Sequence, residues 1–130
     1  MIYIWINLPA IAVATLLAVG IVAAYRRIAP GPMAPLRPAA IGAATIAAFW
    51  FAAILAGALI LAPPKAAAST MAIGSAVVIW IGFVLPALIA TGLLRGARSR
   101  VIAADAACWL IVMVVEAAAM ALIGLTAPPA

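Results

Sequence analysis

The sequence predicts an all-α fold, an integral membrane bundle of four transmembrane helices, and three observations carry this prediction. Of the 130 residues, 72% are hydrophobic and only 7% are charged, whereas soluble domains are about 25% charged and disordered chains are polar. Four apolar stretches are each long enough for a helical span, which needs about 20 residues. None of them alternates polar and apolar residues as a transmembrane β-strand does, and hydrocarbon admits only helices or closed barrels.

The four predicted helices form a single transmembrane domain over residues 1–130. Their approximate limits are 2–25, 39–62, 70–94 and 104–125. The positive charge of the first helix follows its apolar stretch instead of preceding it, so this segment does not have the pattern of a cleaved signal peptide. Pro63 and Pro64 end the second helix, because proline cannot continue one. Four prolines favour an extended loop between the first two helices: Pro30, Pro32, Pro35 and Pro38.

Six of the seven basic residues lie in the first and third loops, which a four-span topology places on the same side of the membrane. They are Arg26, Arg27, Arg37, Arg95, Arg98 and Arg100, and the seventh, Lys65, lies in the second loop. Cytoplasmic loops carry the excess of Lys and Arg. The sequence therefore predicts that both termini lie on the non-cytoplasmic side. It also indicates that the net charge of +5 reflects topology and not nucleic-acid binding.

The residue types present in the chain exclude most kinds of metal-binding and catalytic site. The chain has no His, one Cys and two acidic residues, which are too few ligands for a zinc or transition-metal site. Without imidazole there is no His-ligated haem and no Ser–His–Asp or Cys–His arrangement. The nine glycines match neither phosphate-binding loop pattern. We therefore expect no metal, no cofactor and no enzymatic activity, and we interpret Cys108 as a small buried apolar residue.

Small residues dominate all four apolar stretches, and 37 residues are Ala. Helices in lipid associate through close packing of such residues, so the helices are expected to approach closely and to leave some small-residue faces for other subunits. Trp50 and Trp80 lie near the middle of their helices. Each is interpreted either as a large packing residue or as an indole whose N–H finds a partner inside the bundle.

Both acidic residues lie on the last helix. Asp105 is predicted at its start, near Arg98 and Arg100, where a carboxylate suits the positive end of the helix dipole. This interpretation gives Asp105 a structural role. Glu116 lies 11 residues further on, which is about three helical turns, or about 16 Å, along the same face.

Glu116 is predicted near the bilayer centre, where an ionised carboxylate costs about 2.5–3.5 kcal/mol on insertion scales. No Lys or Arg lies at its depth, so desolvation favours the neutral acid. Thr15 and Trp50 lie at a similar depth. The Gly82 carbonyl does too, and Pro86 leaves it without its helical donor. We expect the Glu116 carboxyl to donate a hydrogen bond to that carbonyl.

Three motifs in the second half are similar to those of a known family. They are Trp-Ile-Gly-Phe-Val-Leu-Pro at 80–86, Leu-Leu-Arg-Gly at 93–96 and Ala-Cys-Trp-Leu at 107–110. On these motifs the chain, mainly over residues 77–125, resembles the domain-of-unknown-function family 1761, a family of small bacterial membrane proteins. The resemblance implies four transmembrane helices in a bacterial inner (cytoplasmic) membrane and brings no established activity. Glu116 stands where the family has an apolar residue, so the resemblance assigns it no shared role.

Two functions are compatible with this inventory. The first is a structural or interaction component: an accessory or assembly subunit of a larger inner-membrane complex of respiratory or photosynthetic type, or a homo-oligomer. It depends on the missing chemistry and the small-residue faces. The second is a small carrier or channel that handles protons or cations through Glu116, because intramembrane acids are often functional. The lipid bilayer and other membrane subunits, or a second copy of the chain, are the expected partners.

Overall fold

The computed structural model describes residues 2–31, 35–62 and 67–129, and these residues form helices joined by short connections. Four segments are long and apolar enough to cross a membrane, which confirms the predicted number of spans. The helices are α1 (Ile2–Ile6), α2 (Leu8–Tyr25), α3 (Pro38–Leu61), α4 (Ala68–Ile79), α5 (Leu85–Leu94) and α6 (Ser99–Ile123), and a π-helical turn, Trp80–Val84, joins α4 to α5. The predictions that concern Pro32, Pro63, Pro64 and Lys65 lie outside the described residues.

The first predicted helix is divided at Asn7 into α1 and α2. Pro9 has no N–H, so the carbonyl of Trp5, four residues earlier, has no helical donor from that position. Asn7 has φ −101° and ψ 13°, but its N–H still donates to the Tyr3 carbonyl and its carbonyl accepts from the Ile11 N–H, so the helix is distorted at Asn7 and α2 continues to Tyr25.

The last helix begins earlier than the sequence predicts. It starts at Ser99 instead of residue 104, with Arg98 as its extended N-cap residue. No Gly or Pro interrupts residues 99–104, so the polar residues before the apolar stretch continue the helix. Asp105 therefore lies in the second turn of α6, and the expectation that it marks the helix start is wrong.

Alanines spaced four residues apart form the ridges along which the helices pack. They are Ala10, Ala14 and Ala18 on α2, Ala48, Ala52 and Ala56 on α3, and Ala72 and Ala76 on α4, and all are buried. Such i, i+4 rows allow two helix backbones to approach closely. Helix α6 packs against α2, α3 and α4 and supplies the larger buried side chains of the core, Val112, Met113, Glu116 and Met120.

Side-chain hydrogen bonds join the first and last parts of the chain at both ends of the bundle. At one end the Tyr25 hydroxyl donates to Asp105 Oδ1 at 2.7 Å, which joins the end of α2 to the beginning of α6. At the other end the Asn7 amide bonds the backbone of Thr126. The first and third loops therefore lie at one end of the bundle, and residues 2–7 lie beside the segment after α6 at the other.

Candidate intramembrane carboxyl site

Glu116 lies inside the bundle without a hydrogen-bond partner. Its side chain is 0% exposed, and neither carboxyl oxygen has a partner among the described residues. Native proteins leave few buried polar groups unpaired, and each one calls for an explanation. From the limits of α6, Glu116 is about 25 Å from the N-terminal end of the helix and about 10 Å from its C-terminal end. It therefore lies on the C-terminal side of the middle of its helix.

The hydrogen bond expected between Glu116 and the Gly82 carbonyl is not formed. Gly82 and Pro86 both lie on the exposed side of the third span, and, apart from the neighbouring backbone of its own helix, no atom lies within 4 Å of the position of a Cβ at Gly82. The expectation required Gly82 to face the interior, and the rotation of this span places it outside. Gly82 and Pro86 are therefore not brought together with Glu116.

The chain adapts to Pro86 through the π-helical turn Trp80–Val84. Within it the Leu85 N–H donates to the Trp80 carbonyl, five residues earlier, so the helix widens locally before the proline. Turns of this kind are often found at functional sites. The Trp80 indole N–H donates to the Ala106 carbonyl on α6 at 2.9 Å, which confirms the interpretation that this indole finds a partner inside the bundle.

Thr15 comes to the level of Glu116, but its hydroxyl is engaged elsewhere. The contact of Tyr25 with Asp105 aligns the antiparallel helices α2 and α6. Glu116 follows Asp105 by eleven residues on α6, and Ala14 precedes Tyr25 by eleven residues on α2. Because the two helices are antiparallel, Glu116 lies at the level of Ala14 and of its neighbour Thr15. The Thr15 hydroxyl donates to the Ile11 carbonyl of its own helix at 2.8 Å. Trp50 is 50% exposed and stacks on Phe49, so its side chain lies at the bundle surface.

No charged residue is available on the helices that surround Glu116. Helix α6 contacts α2, α3, α4, α5 and the π-helical turn, and these elements contain no Asp, Glu, Lys, Arg or His. Their one titratable side chain is Tyr25, at the far end of α2. The surroundings of the carboxyl are therefore apolar and small, which favours its neutral form.

Asp105 lies in a different and more polar environment. It is half-buried and accepts the hydrogen bond from the Tyr25 hydroxyl. It lines two cavities, a groove of about 390 Å³ beside α2 and α3 and a smaller one of about 160 Å³ beside Gly92 and Arg95. The buried Cys108, also predicted to be buried, forms part of the larger groove.

Sequence reasoning missed the partnership of Tyr25 and Asp105. One signal was present, because Tyr25 ends the first predicted span and Asp105 begins the fourth, and both of these ends lie on the predicted cytoplasmic side. The arginines that the sequence analysis predicts to set the topology lie at this end too. Arg27, Arg37, Arg95, Arg98 and Arg100 are exposed, and Arg26 is half-buried.

Asn7 is a second residue whose role the sequence analysis missed. It is 4% exposed. Its amide nitrogen donates to the Tyr3 and Thr126 carbonyls at 2.9 Å each, and its amide oxygen accepts from the Thr126 N–H at 2.8 Å. A lone amide in an apolar stretch was the available signal, because buried amides are hydrogen-bonded.

Among the described residues, no group of three or more His, Cys, Asp or Glu side chains comes together in the way that a metal site requires. Comparison with protein-family models, with curated proteins and with solved structures finds no match to this chain. The described part of the chain is thus all-helical, with four helices that are long and apolar enough to cross a membrane and, within that part, one buried carboxyl group without a partner.

Proposed function

We propose that this chain is a small membrane carrier or channel that binds a proton at Glu116. One observation carries the proposal: the Glu116 carboxyl is completely buried between helices, and neither of its oxygens has a partner among the described residues. An acid kept in such a place is costly, and intramembrane acids of this kind are functional by default. A purely structural role would instead favour an apolar side chain of the same size at this position.

The chemistry of the site favours a proton over a metal cation. Hard cations are held by several oxygen ligands, six or more for Ca²⁺ and near-octahedral sets for Mg²⁺. Glu116 supplies two oxygens, and the helices around it contribute no second acidic side chain. A single carboxyl group among apolar helices is sufficient to bind one proton and insufficient to coordinate a dehydrated metal ion.

Loss of the proton supplies a physical link to conformational change. The ionised carboxylate is an unpaired charge in an apolar layer, and its burial costs several kcal/mol. The deprotonated bundle therefore admits water to Glu116 or moves a helix so that water reaches it. Protonation favours the closed packing, in which the carboxyl is buried. Such a pair of states, one for each form of the acid, is the minimum that a proton carrier needs.

Membrane orientation and location belong to the same proposal. The two arginine-rich loops lie at one end of the bundle, with residues 2–7 and the segment after α6 at the other. The excess of basic residues supports a cytoplasmic location for the loop end and a location of both termini outside the cytoplasm. The resemblance to family 1761 supports a bacterial inner membrane.

A proton-flux measurement tests the proposal. Purified protein is reconstituted in liposomes that contain a pH-sensitive dye, and a potassium gradient with valinomycin supplies the driving potential. Proton entry is expected with the natural chain and not with Glu116→Gln. Asp105→Asn is the matched control, because it makes the same acid-to-amide change on the same helix, and it should retain the flux. Equal flux in the natural chain and in Glu116→Gln would overturn the proposal.

An interaction role is the second proposal, and a separate observation favours it. In the third span, Ala68–Leu94, only 6% of the most apolar 18-residue stretch is buried inside the bundle, whereas 39% of the corresponding stretch of α6 is buried. Ile81, Gly82 and Phe83 of the π-helical turn are exposed, which leaves a surface for a further subunit of a membrane complex or for a second copy of the chain.

Cross-linking tests the interaction role. Cys108→Ala removes the one native thiol, and Phe83→Cys then places a thiol on the exposed surface of the π-helical turn, where Phe83 is 74% exposed. If two copies pack through this surface, oxidation gives a disulfide-linked dimer, and Leu122→Cys, at an even more exposed position on α6, does not. The same yield of dimer from both positions would contradict the packing of two copies of the chain through this surface.

A further inference from the structure

An open groove of about 390 Å³ lies at the loop end of the bundle, apart from Glu116. Helices α2 and α3 form its walls, and α6 forms its floor. The walls are apolar over most of their length, with Val19, Val22, Ala23, Ala40, Ile41 and Ala44. On the floor lie Cys108, Trp109 and Asp105. The volume falls in the range of small-molecule sites, about 300–1,000 Å³.

Basic residues gather at the mouth of this groove. Arg26 lines it, Arg27 follows directly in the chain, and Arg37 is the N-cap residue of α3 beside the lining residue Leu36. On the wall of α2, the lining residues extend from Arg26 back to Val19, which is about 10 Å along the helix axis. The groove thus has one arginine in its lining and two more beside it in the chain, and its lining is otherwise apolar except for Tyr25 and Asp105.

Asp105 is the one acidic residue in the lining. It accepts the hydrogen bond from the Tyr25 hydroxyl at 2.7 Å, and the three arginines outnumber it. The mouth therefore has a net positive charge, which repels an amphiphile with a cationic head and attracts one with an anionic head.

We propose that the groove binds one anionic phospholipid. Its phosphate lies at the mouth, at Arg26, Arg27 and Arg37. One acyl chain lies between α2 and α3, against Trp109. Basic pockets between transmembrane helices are a known means of holding anionic headgroups. Because a chain is held as well as a headgroup, the lipid stays with the protein when the surrounding bilayer is removed. This inference does not depend on proton binding at Glu116.

Native mass spectrometry of the delipidated protein in detergent tests the inference. Phosphatidylglycerol is titrated against phosphatidylcholine with the same acyl chains, and sn-glycerol 3-phosphate serves as a headgroup without chains. One phosphatidylglycerol per chain is expected to remain bound, with neither of the other two retained. Equal retention of phosphatidylcholine and phosphatidylglycerol, or tight binding of glycerol phosphate alone, would overturn the inference.

Two triple variants with the same charge change separate the groove from general surface charge. Each basic residue near an anionic headgroup strengthens binding about fivefold, so Arg26→Gln, Arg27→Gln and Arg37→Gln together should weaken retention on the order of a hundredfold. Arg95→Gln, Arg98→Gln and Arg100→Gln remove three charges from the other loop at the same end and should retain the lipid. An equal loss in both triple variants would show that surface charge alone acts and would overturn the inference.

A pair of variants on α3 tests the apolar part without changing charge. Ala44 lines the groove, and its exposed neighbour Ala43 does not. Ala44→Phe fills the groove and should reduce retention of phosphatidylglycerol at least tenfold, whereas Ala43→Phe should leave it unchanged. This pair keeps the inference testable even where a triple arginine variant fails to fold. The same retention by both variants would show that no acyl chain occupies the groove.

Discussion

Replacement of Glu116 by Met tests whether the buried carboxyl contributes to stability. Met has a similar length, no branching and no hydrogen-bonding requirement, so it fills the same space with little strain. Glu116 is 0% exposed, and neither of its oxygens has a partner among the described residues. The substitution therefore removes an unsatisfied polar group and creates no new one. We expect Glu116→Met to be more stable than the natural chain.

The magnitude follows from the cost of an unsatisfied buried group, about 1–3 kcal/mol. Glu116→Met should recover most of this amount. Glu116→Ala should instead lie about 2–5 kcal/mol below Glu116→Met, because the truncated side chain leaves a cavity in a layer that is already packed. If Glu116 were instead a carboxylate in an ion pair, Glu116→Met would lower the free energy of unfolding, since removal of one partner of a buried pair costs about 3–5 kcal/mol.

Reversible unfolding in mixed micelles, followed by circular dichroism at increasing dodecyl sulfate, gives the free energy of unfolding for each variant. Met113→Leu is a suitable control. It is a volume-conserving change at another fully buried position of α6 and should alter stability by less than about 1.5 kcal/mol. If Glu116→Met is less stable than the natural chain by more than this control, Glu116 has a stabilising partner and the reasoning is refuted.

Two further predictions concern the bundle end and helix packing. Asn7→Ala removes three hydrogen bonds, two of them to the Thr126 backbone. Hydrogen exchange at the Thr126 amide is therefore expected to become faster. An unchanged exchange rate would contradict the contact between Asn7 and Thr126. A Cβ at Gly92 would lie 2.6 Å from Ile102, so Gly92→Ala should destabilise the bundle by about 1–3 kcal/mol. A Cβ at Gly42 meets no atom within 4 Å apart from the neighbouring backbone of its own helix, so Gly42→Ala should stabilise α3 by about 0.5–1 kcal/mol. If unfolding measurements gave the reverse order for these two variants, they would contradict the packing of α5 on α6.

The number of spans is predictable from this sequence because hydropathy is a strong signal over 20 or more residues. The beginning of α6 is not, since hydropathy marks where a helix enters an apolar environment and not where its hydrogen bonds begin. Residues 99–103, which begin with the polar Ser99 and Arg100, belong to the helix, and Asp105 therefore lies in its second turn instead of its first. The break at Asn7 had a signal in Pro9, because a proline removes a helical hydrogen bond.

The rotation of each helix is the part that the sequence does not determine. Alanine occurs on every face of these helices, so no apolar stripe distinguishes the inside from the outside. For this reason Gly82 was expected to face Glu116, although it lies on the exposed surface. For the same reason the pairing of Tyr25 with Asp105 was not foreseen. Both depend on rotations that are settled by close packing of the alanine rows.

Infrared difference spectroscopy of the Glu116 carboxyl tests the central claim most directly. The natural chain, Glu116→Gln and Asp105→Asn are compared in lipid at neutral pH. A protonated, non-hydrogen-bonded carboxyl gives a C=O stretching band at high frequency, and the account predicts that this band is present in the natural chain and in Asp105→Asn and absent from Glu116→Gln. A carboxylate signal that disappears with Glu116→Gln, in place of the acid band, would show that Glu116 is ionised and would contradict the account.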